Sequence, residues 1–81
     1  MSSRLRPESR AVRVVRARRF IAAHGRTLRR RANLTLADIA RDLGISISAV
    51  SLYERGLYAP PAEITLAWVA ILEDLAREAA A

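Results

Sequence analysis

The first long pattern along the chain is helical. From Glu8 to Ala32 there is no proline and a single glycine, Gly25. Val14, Ala17, Ile21, Leu28 and Ala32 recur at spacings of 3, 4, 7 and 4 residues, which keeps them on one face of a helix. His24 and Gly25 fill the gap in that stripe. Arg16, Arg19, Arg26 and Arg30 fall on the opposite face, so the pattern predicts an amphipathic helix with a basic rail along its outer side. Glycine inside a helix costs about 1 kcal/mol against alanine, so a kink or break at Gly25 is one expectation. His24, on the apolar side, is expected as a packed core histidine rather than a ligand.

The stripe ends at Asn33-Leu34-Thr35. Thr35 stands where an N-cap belongs, and Asp38 stands three positions on, where an acid answers the cap. A second helix is predicted from Leu36 to Leu43, stopped by Gly44, which tolerates a left-handed turn. Ser46 caps a third helix, Ile47 to Arg55, which ends at Gly56. Leu57-Tyr58-Ala59-Pro60-Pro61 reads as a loop, and the prolines with Glu63 suit the start of a last helix, about Ala62 to Ala79. Ile64, Trp68, Ile71, Leu72 and Leu75 make its inner face, while Leu66, Val69 and Ala76 point away. No stretch shows strand alternation. The fold class expected is all-α, with four or five helices. Residues 1–10 read as a basic mobile arm and residues 11–81 as the folded domain.

Composition narrows the function. Eighty-one residues allow one small domain, and a domain of this size buries only roughly 60% of its unfolded surface, so a partner would help it. There is no cysteine, which excludes disulfide scaffolds, thiolate zinc sites and cysteine nucleophiles. One histidine cannot build a metal site, and no cofactor, metal or small-molecule ligand is expected. No apolar run approaches the roughly 20 residues of a membrane span. Arg18-Arg19-Phe20-Ile21 resembles a twin-arginine export signal only superficially, because Arg26 and Arg29 to Arg31 follow where an apolar stretch is needed. No His, Cys, Asp or Glu cluster has catalytic spacing, so an enzyme is not expected. The expected location is the cytoplasm.

Charge is unevenly placed. All 14 basic residues are arginine, and the net charge is +6. Residues 1–33 carry eleven arginines and one acid, a net +10, and residues 34–81 carry three arginines and seven acids, a net −4. A basic front half of this kind implies a contact with nucleic acid or an acidic protein.

The two short helices joined by Gly44-Ile45-Ser46 have the spacing of a helix-turn-helix, whose second helix enters the major groove of DNA. Ala40 is small enough to let the helix axes approach, and Leu43, Ile45 and Val50 form the wedge between them. Ser46, Ser48 and Ser51 leave the outer face of the second of these helices unobstructed.

The run L-T-L-A-D-I-A-R-D-L-G-I-S-I-S-A-V-S-L-Y-E-R-G, followed by Pro60, resembles the XRE family, the fold of lambdoid phage repressors and Cro proteins. The matching positions are Leu34, Thr35, Ile39, Ala40, Leu43, Gly44, Ile45, Ser46, Val50, Ser51, Tyr53, Glu54, Gly56 and Pro60. The resemblance covers about residues 21–75. It implies a lambda-repressor-like domain and a sequence-specific, double-stranded-DNA-binding transcriptional regulator; the small size of the domain and the outward apolar residues of its last helix add the expectation of a homodimer. It implies base reading by Ser46, Ile47, Ser48, Ser51 and Leu52. It implies phosphate contacts by Thr35, Leu36, Arg55 and Tyr58, to which the rail of Arg16, Arg19, Arg26 and Arg30 would add. It also implies a structural ion pair between Arg29 and Glu54, and Leu66, Val69 and Ala76 offer a dimer surface.

The chain departs from the family pattern in places. Leu36 replaces the usual glutamine, Ile47 replaces a usually polar first recognition residue, and Leu57-Tyr58 replaces an often basic loop. Apolar side chains can read thymine methyl groups. They can also bind protein, so a protein-interaction module on the same fold, such as an anti-repressor or toxin–antitoxin component, is the alternative reading.

Overall fold

A computed structural model of the chain describes residues 8–80. These form four α-helices in the order α1 (Arg10–Arg31), α2 (Leu36–Leu43), α3 (Ile47–Glu54) and α4 (Ala62–Ala80), with no strand among the described residues. The first seven residues of the expected arm lie outside the described residues. The helix begins within the remaining three: the Ser9 hydroxyl accepts from the Val12 amide at 3.1 Å and caps α1 at Arg10.

α1 runs unbroken through Gly25. The glycine is buried, and a Cβ there would meet Ile21 Cγ2 at 3.5 Å and Leu72 Cδ1 at 3.6 Å, ordinary contact distances. Its place in the core-facing stripe corrects the expectation for its neighbour. His24 is exposed and lies beside Phe20, ring centroids 4.9 Å apart. One residue is about 100° of helix, so only one of two adjacent residues can point at the core, and here it is Gly25.

α1, α2 and α3 end the same way. After α2, Gly44 (φ 69°) sends its amide to Arg41 O and the Ile45 amide to Ala40 O; after α3, Gly56 (φ 75°) does so to Tyr53 O, with Leu57 to Leu52 O. These are Schellman closures, which need a left-handed residue and satisfy carbonyls the helix leaves free. At the end of α1 the left-handed position is held by Asn33 (φ 60°), the side chain after glycine that best tolerates it.

The core joins all four helices. Ile21, Ile39, Ala40, Val50, Trp68 and Leu72 are buried together, with Leu28, Leu34, Leu36, Leu43, Ile45, Tyr53 and Leu75 packed around them. The inner face of α4 is turned a fraction of a turn from the one expected. Thr65, not Ile64, is fully buried, beside Trp68 and Leu72. That rotation brings Val69 and Ala76 to half-buried positions, and Leu66 is also half-buried, so these three do not form the free outer strip the spacing suggested.

Candidate nucleic-acid interface

α2 starts with a complete capping box. The Thr35 hydroxyl accepts from the Asp38 amide at 3.1 Å, and the Thr35 amide donates to Asp38 Oδ2 at 2.8 Å. Arg41 reaches back to Asp38 Oδ1 at 2.5 Å. Hydrogen bonds from Thr35, backbone and then side chain, together with the Arg41 charge, hold the Asp38 carboxyl below its ordinary value. The Leu36 side chain packs against the core, so what it offers outward is its backbone amide in the first turn of α2. At the start of α3, the Ser46 hydroxyl accepts from the Ala49 amide at 3.0 Å.

α3 is held from behind. Val50 is fully buried, Tyr53 packs on the core, and Glu54 turns in to meet Arg29. Arg29 donates from Nε to Glu54 Oε2 and from Nη2 to Oε1, both at 2.8 Å, and from Nη1 to Leu34 O at 3.0 Å. The two side chains are 10% and 6% exposed. The Glu54 hydrogen bond raises the Arg29 guanidinium above its already high ordinary value, so Arg29 is charged. A two-pronged pair of this geometry fixes orientation as well as distance.

With those residues turned inward, α3 presents Ile47, Ser48, Ser51 and Leu52 outward. Ser46, Ile47 and Ser48 are exposed, Ser51 and Leu52 half-buried. Ile47 with Ser51, and Ser48 with Leu52, are four residues apart and so are neighbours along one side. Arg55 is exposed just past the helix end, its Nε 3.4 Å from Ser51 O. In the loop, Leu57 is 59% and Tyr58 66% exposed.

The rail arginines on α1 are all exposed. Arg16 carries an intramolecular partner, Glu8. Val12 and Val15, just before Arg16 in α1, are each about half exposed.

One contact escaped the sequence reading. Arg18 donates to Pro60 O from Nη2 at 2.7 Å and from Nε at 3.2 Å. Pro60 is buried, and the Thr65 hydroxyl lies 3.1 Å from the same carbonyl oxygen and 2.9 Å from that of Pro61. Arg18 thereby ties α1 to the loop that follows α3. Its signal was present: Val14, Arg18, Ile21 and Gly25 share the spacing 4, 3, 4, so Arg18 lies on the inner stripe, not the rail.

A family model described as a helix-turn-helix domain matches residues 21–79. The chain belongs to this family. No curated protein and no solved structure matches it. The helix-turn-helix domain includes the Arg29–Glu54 pair, α2, α3 and most of α4. The part of α1 before Ile21 precedes the matched segment and adds Arg16, Arg18 and Arg19 to it. No described helix is long and apolar enough to cross a membrane, and no cluster of three metal-ligating side chains occurs among the described residues.

Proposed function

We propose that the chain is a sequence-specific double-stranded-DNA-binding transcriptional regulator, of the repressor or Cro type within the XRE family. The observation that carries this reading is the α3 strip of Ser46, Ile47, Ser48, Ser51 and Leu52, clamped from behind by Arg29–Glu54 and left open in front. A recognition helix must be rigid relative to its domain and bare on its outer side. Phosphate neutralisation would come from Arg19, Arg26, Arg30 and Arg55, with Arg16 once it leaves Glu8. Amides at the start of α2, with Thr35 and Tyr58, would add neutral donors. Such a protein would work on the nucleoid, in the cytoplasm.

Paired copies would suit half-sites about one DNA turn apart, roughly 34 Å. Leu66, Val69 and Ala76 remain the candidate contact, with less free apolar area than an exposed strip would have. A Val69→Glu variant compared with the parent by sedimentation tests it, and a parent monomeric on and off DNA ends it.

The test of the main reading is titration of random duplex DNA at several salt concentrations, followed by selection of bound duplexes from a random pool. Salt-dependent binding to any duplex, with a preferred sequence emerging from the pool, is expected. No duplex binding even at low salt would overturn it. The second reading, a protein-interaction module, is favoured by one specific observation: Ile47, Leu57 and Tyr58 are each more than half exposed.

A further inference from the structure

The outer side of α3 is chemically unusual for a surface that reads bases. Bidentate recognition of guanine uses Arg or Lys, and of adenine Asn or Gln. The eight residues of α3, Ile-Ser-Ala-Val-Ser-Leu-Tyr-Glu, include none of these. The one ionisable group that could accept from cytosine, Glu54, is spent on Arg29, and Tyr53 is packed inward. Ser48 and Ser51 remain, but a hydroxyl donates and accepts alike and so discriminates weakly among base edges. What α3 does offer is apolar carbon: Ile47, 52% exposed in the first turn, and half-buried Leu52 further along.

In the major groove the apolar feature of a base edge is the C5-methyl group of thymine. Cytosine carries hydrogen there and presents the same group only when methylated at C5. We propose, resting on the DNA-binding reading, that Ile47, with Leu52, reads the C5-methyl group of pyrimidines, so that 5-methylcytosine substitutes for thymine in the contact and binding responds to cytosine methylation. A protein partner for the same carbons is the less favoured occupant. The net +10 of the front half and the helix-turn-helix match both favour a polyanion with a groove.

The experiment uses the full chain and duplexes recovered from the random pool. Thymine is replaced by uracil one position at a time, which removes the methyl group and leaves every hydrogen-bonding atom. At one or two positions per half-site, affinity should fall about fourfold, the equivalent of one methyl group returned to water. Placing cytosine at such a position should weaken binding, and 5-methylcytosine should recover part of the loss. Ile47→Ala should lose the thymine–uracil difference at the position it reads and keep the melting point of the parent, because Ile47 is 52% exposed. Preserved duplex binding with no thymine–uracil difference at any position would overturn this proposal and leave the DNA reading standing. So would discrimination that survives Ile47→Ala and Leu52→Ala together. Absence of any duplex binding would remove both.

Discussion

The guanidinium of Arg29 and the carboxylate of Glu54 meet through two parallel hydrogen bonds of 2.8 Å, joining the last turn of α1 to the last turn of α3. A third bond from Arg29 to Leu34 O fixes the turn between α1 and α2. One side chain thus sets the position of α1, of α3 and of the chain that enters α2. Glu54→Ala would strand a nearly buried cation and should cost about 3 kcal/mol, toward the lower end for a buried pair broken from one side. For a domain of this size that lowers the melting temperature by roughly 12–24 °C. Replacing both residues with apolar ones should cost less than either single change, because no charge is left unpaired. Thermal denaturation of the three variants checks this, and a Glu54→Ala protein that melts like the parent would contradict the role given to the pair.

The Arg18 contact predicts a different phenotype. Pro60 O receives a charged donor across 42 residues of sequence, and that donor sets the path from α3 to α4. Arg18→Ala should destabilise by about 1.5–3 kcal/mol, the usual range for a hydrogen bond to a charged group. It should also speed amide exchange in residues 57–65 more than in α2. Uniform acceleration across the domain would mean that Arg18 contributes only general stability.

Much of this architecture was legible in residue spacing. The caps at Thr35 and Ser46 and the stops at Gly44 and Gly56 are local chemistry, set by side chains within four positions of one another, and they sit where the sequence put them. The Arg29–Glu54 pair is a contact across 25 residues, and it was reached through family resemblance, not periodicity. What spacing could not settle was rotation. Two adjacent residues on one stripe, His24 and Gly25, or Ile64 and Thr65, compete for a single inward direction. In each case the smaller or the hydrogen-bonded residue lies inside. Helical period gives the width of the inner face; the partner helix decides its centre, and α4 against Gly25 is that partner. The same uncertainty hid Arg18, a cation on an apolar stripe whose acceptor lies in a distant loop.

The arginines of the rail divide by their partners. The side chains of Arg19, Arg26 and Arg30 make no hydrogen bond or ion pair among the described residues, whereas that of Arg16 is paired with Glu8. If all four meet phosphates, alanine at Arg19, Arg26 or Arg30 should each lower affinity for every duplex and reduce the salt slope by about one unit. Arg16→Ala should do less, because Glu8 is displaced when Arg16 turns to phosphate. Glu8→Gln should make binding tighter for the same reason. An unchanged slope in all of the alanine variants would leave the rail as a solvated face.

Asp38 gives the chain a pH dependence of known sign. Its carboxylate accepts from the Thr35 amide and lies against Arg41, and these contacts lower its pKa in the folded domain. In the unfolded chain the group returns to an ordinary value of about 4. The folded state therefore binds the proton less readily, and Asp38 contributes stability that is fully present above that unfolded value. The contribution is lost as pH falls through the lowered folded pKa, where the carboxylate becomes neutral and its hold on the first turn of α2 weakens. Asp38→Asn keeps the size of the side chain and removes the charge. Its melting temperature should lie below that of the parent at pH 7, and the gap should close as the pH is taken below 4. Because Asp38 is solvent-facing, the difference should also shrink in high salt. A gap of constant size from pH 7 to pH 2 would assign the effect to shape alone and remove the carboxylate from the capping of α2.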